Sequence, residues 1–507
     1  MKTEHVGYDK LRGQYPGLFL SYCLDEPRSH KFFAYRYRDE RALLERAKRA
    51  AERGAEKTLI ETLKRYHRDL GSPAESLAAI DKLARGAAAV VTGQQPSVGW
   101  GPLYNFHKAQ AALRFAQGIE ARGVPCVAIF WNHSDDVRGG DSVSMPDREN
   151  RVKEIPLPPG EAGTPLYESG SPESLRLFAA ALAEALPATE FSPWLAELIR
   201  TCHRGSIAES FSRALLSVLG QYGLIMLEPR HLEGERSAKL FAGHLADPGR
   251  LAKAVDAGRQ AVISEQFEDH LGREIGLDLF EVKAGRRVRL EKPGPVQGRL
   301  SAGVALRPLL QDAVLPTCAY VGGPSEVGYQ AELLPAYRAF GIEPPVVFPR
   351  VTATLLEPKI AKVRERVGLS AERLFESEAA LGPLFVRQEE DVAGELEKLP
   401  DRLMSEVGEL MKRLPGASMS KAHEKTANKV REAIEALASR VRDEQSRQDT
   451  TGRGLLTKLL THLRPGGKLQ ERVFTPLYYA SLFGPSFFPK LLATLDPFVF
   501  SHQLITI

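Results

Sequence analysis

VVTGQQPSVGWGPLYNFHKAQAALRFA, residues Val90 to Ala116, reads as a buried strand that ends in a glycine-bearing turn and then feeds a helix. The apolar run Ala87 to Val91 has strand length and stops at Thr92-Gly93. Gly93, Gly99 and Gly101 let another backbone or a ligand approach closely, and a helix N-terminus favours an anion. A nucleotide phosphate or a carboxylate fits such a turn, which makes Thr92, Gly93, Gln94, Gln95, Gly101, Tyr104 and Lys108 candidate binding residues and His107 a candidate catalytic one. The pattern is neither a P-loop nor GxGxxG, and a tight strand-to-helix connection accounts for the same glycines.

Four further runs resemble the first: VPCVAIFW (124–131), YGLIMLE (222–228), TCAYV (317–321) and PPVVFP (344–349). With the strand near 87–91, they are short, Val- and Ile-rich and separated by helical stretches, as a parallel α/β sheet requires. The expected fold is a Rossmann-like core over residues 1–370, with insertions at about 140–215 and 232–300 that exceed a crossover helix. Within the second insertion, the alternation in EVKAGRRVRLEK predicts a small antiparallel element.

After Pro358 the composition shifts to Glu, Lys, Arg, Leu and Ala. Val392, Leu396, Leu399, Leu403, Val407, Leu410 and Leu414 recur at helical spacing, as do Ala427, Val430, Ile434, Leu437 and Val441 beyond the Leu414-Pro-Gly416 break. This predicts a long antiparallel helical arm over 371–465, whose apolar stripe needs a cover, and a homodimer is the favoured one. Residues 466–507 return to aromatic and apolar character and are expected to pack back on the core.

Two more segments offer chemistry at strand ends, where open α/β sheets bind ligands. FWNHSDDVRGG places Asn132, His133, Asp135 and Asp136 after the second strand. Its carboxylates suit an amine, a magnesium ion or general-base work, or form a solvated acidic loop; the spacing is not that of a zinc site, and no metal site is assigned. TCAYVGGPSE brings Tyr320, Gly322, Gly323 and Glu326 to another strand end, and Arg307 and Arg350 flank it with guanidinium groups suited to a carboxylate or phosphate. Glu326 also suits a plain helix start.

The 507 residues are 43% hydrophobic and 26% charged, which indicates a globular, non-membrane chain of several structural units. Sixty-eight basic against sixty-four acidic residues leave a net charge of +4, so no nucleic-acid partner is implied. Four dispersed cysteines without a CxxC pair, and no signal-like or membrane-length apolar segment, fit the cytoplasm.

Taken together, VVTGQQ, GPLYNFHK, RPLLQDAVLPTCAYVGGPSEVGYQAEL, PPVVFPRVTATLLE, LQER (469–472) and FSHQLI (500–505) resemble one family, the bacillithiol biosynthesis cysteine-adding enzymes. The N-terminal GLFLSYCLDE and FFAYRYRD share the likeness, so it extends nearly end to end. The resemblance implies a Rossmann-like core with connecting-peptide insertions, similar to class I aminoacyl-tRNA synthetases, and a coiled-coil arm that pairs two subunits. It also implies the last step of bacillithiol synthesis, in which L-cysteine is joined through its carboxyl to the amine of glucosaminyl-malate. An amide does not form from a free carboxylate without activation, so ATP or another nucleotide is the expected driver, and magnesium is compatible with it. On this reading the Thr92–Gly101 turn and His107 contact phosphate, Asp135, Asp136 or Glu326 holds the cysteine ammonium, and Arg307 or Arg350 takes the malate carboxylate.

One departure stands out. Where the family reads FW, a few residues, then EDHD, this chain has FWNHSDDVRGG, so Val137 and Arg138 replace a His and an Asp. If those positions supply a general base, its loss costs about a hundred- to ten-thousand-fold in rate. Two rival readings follow: a ligase for another thiol or sugar acid, and a non-catalytic nucleotide-binding partner whose arm organises a complex. Ser418-Met-Ser-Lys421 resembles the lysine loop of class I synthetases but falls within the arm, where it reads as coincidence. The arm itself yields a test: deleting residues 385–450 is expected to give a monomer by light scattering, and a truncated chain that stays dimeric would place the interface in the core.

Overall fold

The five apolar runs form one parallel sheet: β1 (Ala88–Gln94), β2 (Cys126–Asn132), β3 (Leu224–Leu227), β4 (Thr317–Gly322) and β5 (Val346–Pro349). The computed structural model describes residues 1–158, 163–272, 275–385, 392–413, 418–448 and 450–507. Every residue of β2, β3, β4 and β5 is buried, which explains why these strands read as continuous apolar runs instead of alternating ones.

Strand order is β5-β4-β1-β2-β3, the Rossmann arrangement. The chain builds outward from β1 to β3, then returns to the other side of β1 to lay down β4 and β5. The strand order therefore reverses between β1 and β4, and their carboxyl ends open a crevice there. One step beyond the last backbone partners of that pair, Tyr320 and Val91, the Thr92 hydroxyl donates to the Val321 carbonyl at 2.8 Å and ties the two strands together. Helix α1 (Leu103–Glu120) packs on β1 and β2 and is buried on most sides, including the polar Asn105, His107, Lys108 and Gln110.

Between β2 and β3 lie an antiparallel hairpin (Ser142–Pro146 with Val152–Pro156) and three helices, the last of which, Ile207–Leu219, leads into β3. Between β3 and β4 come helices Glu235–Ala246 and Gly249–Ser264, then an antiparallel sheet in which Leu279–Lys283 lies between Arg286–Leu290 and Arg299–Ala302. Helix α2 (Leu306–Val314) precedes β4 and α3 (Pro324–Glu332) follows it. Lys2–Val6 pairs antiparallel with His502–Thr506, and Thr352–Leu356 completes that three-stranded sheet.

The chain divides into two compact units, residues Met1–Leu355 with Lys468–Ile507, and residues Leu356–Gly467. The first unit thus ends before residue 370, because helix Pro358–Val367 packs with Thr450–Leu463 in the second. In that second unit α4 (Val392–Met411) and α5 (Ser418–Gln448) form an antiparallel coiled-coil hairpin, pinned by Arg431 on Asp401 at 2.7 Å and Arg442 on Glu397 at 2.6 Å. The Leu414-Pro-Gly416 break lies outside the described residues, and Ser418 to Lys421 begin α5. Packing of the two helices leaves Val392, Leu403, Leu410 and Leu437 exposed at 51%, 40%, 58% and 49%. No helix among the described residues is long and apolar enough to cross a membrane.

Helix Gly249–Ser264 passes so close to the end of α3 that a Cβ on Gly258 would lie 1.9 Å from the Glu332 carbonyl oxygen. Only glycine fits unless the backbone moves. Gly258→Ala is therefore expected to destabilise the first unit by about 1–3 kcal/mol in a denaturant titration; an unchanged midpoint would show that the crossing yields freely.

Candidate active site

The crevice between the β1 and β4 ends deepens into a cavity of about 400 Å³. Lys108 reaches it from α1, because helical side chains slant toward the helix N-terminus and here that end faces the crevice. Its Nζ donates to the Gly93 carbonyl at 2.7 Å and to Gln94 Oε1 at 2.6 Å, and pairs with Glu326 Oε2 at 2.5 Å. Glu326 sits in the first turn of α3, where Oε2 also accepts from the Gly323 backbone N–H at 2.8 Å and Oε1 accepts from the Tyr320 hydroxyl at 2.5 Å. Burial pushes the Lys108 ammonium down to about 8, against the pull of Glu326. Burial also works against the Glu326 carboxylate, but Lys108, Tyr320 and the Gly323 N–H outweigh it and hold Glu326 below the usual range. The pair offers an anchored carboxylate beside an amine able to exchange a proton near neutral pH.

A second cluster stands behind Arg350, which follows β5 and lines the same cavity. Both terminal guanidinium nitrogens bind Glu471, at 3.0 and 2.7 Å, while Nε is buried without an acceptor. Glu471 also accepts from the Ala353 backbone N–H at 2.9 Å and lies 3.2 Å from His107 Nδ1. Burial opposes its charge, yet Arg350 and His107 hold it far below the usual carboxylate range. Burial keeps His107 down and hence neutral at physiological pH.

The acidic loop is engaged as well. Asp135 receives both terminal nitrogens of Arg299, at 2.6 and 3.0 Å, and Asp136 receives Arg287 at 3.0 Å and Gln95 Nε2 at 2.9 Å. Both arginines come from the three-stranded sheet of the second insertion. Both were missed by sequence reasoning; RRVRL, with Arg287 and Arg289 two apart on one strand face, was a usable signal for Arg287, and Arg299 had none. Glu471 was missed too; its only signal was the quoted LQER stretch, a single turn that buries both Gln470 and Glu471.

A wall formed by His133, Asp136, Arg287, Ala302 and Arg307 separates this cavity from a smaller one of about 270 Å³, at the β2 and β3 ends. Burial and the cations Arg307, Lys108 and Arg287 hold His133 well below its ordinary value, so it is neutral. It faces Arg307 Nη1 at 3.4 Å, while Arg307 Nη2 donates to the Tyr329 hydroxyl at 3.1 Å.

Of the residues singled out from sequence, Gln94, Gln95, Tyr104, Lys108 and Gly323 line the larger cavity, as do His133, Asp136, Arg307, Glu326 and Arg350. Asp135 lines the smaller one. Tyr320 and Gly93 act one step back, through Glu326 and Lys108; a Cβ on Gly93 would lie 2.7 Å from His133 Nε2. Thr92, Asn132, His107, Gly101 and Gly322 line neither cavity. Asn132 donates to the Ala208 carbonyl at 2.9 Å and to Ser212 at 3.0 Å, and His107 points at Glu471 rather than at the glycine-bearing turn. Val137 is 37% exposed, Arg138 is exposed, and neither lines a cavity.

Removing one partner of a buried ion pair strands the other charge. Glu471→Ala is accordingly expected to cost about 3–5 kcal/mol of stability, read by thermal or chemical denaturation. A loss well under that would mean that water or a rearranged side chain replaces the carboxylate.

Comparison with known proteins agrees with this architecture. The family model for the bacillithiol biosynthesis BshC N-terminal Rossmann-like domain matches residues 1–297 and 295–351, and that for the BshC C-terminal coiled-coil domain matches 353–507. Relatives named "Putative cysteine ligase BshC" include that of Salinibacter ruber, 28% identical over 97% of this chain and 96% of its own. That of Heliobacterium modesticaldum is 29% identical over 98% and 100%, and that of Geobacillus kaustophilus 27% over 93% and 94%. A solved Campylobacter jejuni structure, described as a "putative arginyl t-RNA synthetase", overlaps at 9% identity and a TM-score of 0.21 over 83% of this chain and 98% of its own, too weak a likeness to bear on the fold. With the two domain models of one family matching residues 1–351 and 353–507 in order, the chain belongs to the bacillithiol biosynthesis BshC family.

Proposed function

We propose that this protein is a carbon–nitrogen ligase that joins L-cysteine, through its carboxyl, to the amine of glucosaminyl-malate in bacillithiol synthesis. The observation that carries the reading is the charge of the larger cavity. Lys108, Arg287, Arg307, Arg350 and Arg472 line it against two carboxylates, Asp136 and Glu326, and both carboxylates are already paired. With Arg350 held by Glu471, the cations left over are Arg307 and Arg472, and this surplus suits a substrate that brings a malate dicarboxylate half or phosphates. Ser325, in the first turn of α3, lines the same space, and a helix N-terminus favours such an anion.

ATP or a related nucleotide, as co-substrate, supplies the activation of a carboxylate. The cavity's donors suit its phosphates, whereas Asp135, Asp136 and Glu326 are each held by a basic side chain and make a poor protein-held magnesium site. With its ammonium pushed down to about 8, Lys108 has a neutral fraction near physiological pH, and that fraction takes up the proton that an amine loses as the amide forms. The arm supports a dimer on this reading: on α4, Val392, Leu403 and Leu410 recur at helical spacing and stay exposed, an apolar row that a second copy covers.

Incubation of the pure protein with L-cysteine, glucosaminyl-malate and ATP should give the amide-linked thiol by mass spectrometry. Failure across nucleotides and metal conditions would sink the ligase reading, and nucleotide binding without turnover would favour the non-catalytic one. Because Val137 and Arg138 are exposed and line neither cavity, the double change Val137→His with Arg138→Asp is expected to leave kcat/KM nearly unchanged. A gain approaching the roughly hundredfold worth of a general base would return these positions to the mechanism.

A further inference from the structure

The smaller cavity differs in chemistry from its neighbour. At about 270 Å³ it lies at the lower end of ligand-pocket sizes, so it takes a small molecule. Much of its wall is apolar: Leu232, Ala238, Phe241 and Leu310, with Trp131, whose indole N–H is buried without an acceptor. Three arginines and three carboxylates also reach it. Four of these six cancel in place, Arg299 on Asp135 and Arg287 on Asp136. The remaining two are Glu233 and Arg307. Neither has an ion-pair partner among the described residues, and Arg307 spends its donors only on a tyrosine hydroxyl and a neutral histidine.

One unpaired anion, one unpaired cation and an apolar wall match a zwitterion with a small, weakly polar side chain. Arg307 belongs to the wall shared with the larger cavity, whereas Glu233 does not touch that cavity. We infer that the smaller cavity is the amino-acid subsite: Glu233 holds the ammonium, Arg307 the carboxylate, and Leu232, Phe241 and Leu310 receive a thiol-sized side chain. The carboxylate of the amino acid then lies at the partition, beside the space that takes the anionic partner. This assignment rests on the ligase reading for the identity of the amino acid, L-cysteine, but its test does not require turnover.

Binding of L-cysteine to the full-length protein is measured by calorimetry, under reducing conditions, with and without L-malate. Two variants leave the larger cavity intact: Glu233→Gln, which removes the charge facing the ammonium, and Ala238→Leu, which fills the pocket from the helix Glu235–Ala246. Each should weaken L-cysteine binding about tenfold or more, Glu233→Gln by loss of a charge-assisted contact and Ala238→Leu by occupying the space, and leave L-malate binding unchanged. 3-Mercaptopropionate, which lacks the ammonium, should bind more weakly than L-cysteine to the wild type and be indifferent to Glu233→Gln. Equal L-cysteine affinity in wild type and both variants, or no L-cysteine binding with or without L-malate, overturns the subsite. Absence of product in a turnover assay, with these binding differences intact, would instead count against the ligase reading and leave the subsite standing.

Discussion

A single carboxylate, that of Glu471, sits where three separate stretches of chain converge. It takes both terminal nitrogens of Arg350 at the end of β5, the ring of His107 from α1, and the N–H of Ala353 as the chain leaves the sheet. Arg350, His107 and Ala353 are all buried, and each would lose a hydrogen bond without it. Arg350 is thereby fixed at the cavity, and α1 is fixed where Lys108 reaches the β1 end. The geometry of the crevice follows from this tie more than from the sheet alone.

Around the crevice the charges are settled in pairs: Glu326 with Lys108, Asp135 with Arg299, Asp136 with Arg287. Such pairs contribute little net stability, since desolvation offsets much of the attraction, but they fix which groups are left over. With Arg350 held by Glu471, what remains is Arg472 on the larger cavity, Glu233 on the smaller one and Arg307 on the wall between them. Pairing of the acidic loop by a sheet inserted between β3 and β4 is what turns a cluster that reads as anionic in sequence into part of a neutralised partition.

The sheet was legible because five buried parallel strands leave a plain mark: short apolar runs spaced by helices. Their order was less so, since pairing partners are distant in the chain. At the site, residues next to a strand end, such as Lys108's acceptor Gly93 and the Gly323–Glu326 turn, could be found from their position. His107 could not be told from Lys108, although successive helical residues point about 100° apart, which sends one to Glu471 and the other to Glu326. Arg299 lies 164 residues from Asp135 and Glu471 lies 121 from Arg350, and no local pattern announces contacts of that range. The arm was readable from its heptad-like spacing, because a solvent-exposed hairpin has few other ways to bury leucine.

Gln470 binds the Leu355 backbone through both its amide oxygen and its amide nitrogen, at 2.8 and 2.9 Å, so the chain re-enters the first unit beside the point where it left. The order of synthesis gives this closure a consequence. A ribosome releases Arg350 and all five sheet strands long before it makes Glu471, with the whole of residues 356–467 emerging in between. During that interval the guanidinium has no carboxylate to meet and the edge strand Lys2–Val6 has no His502–Thr506 to pair with. The first unit is a discontinuous domain whose completion is a late, post-synthetic event, and a nascent chain arrested within the arm carries a buried-to-be arginine still in water.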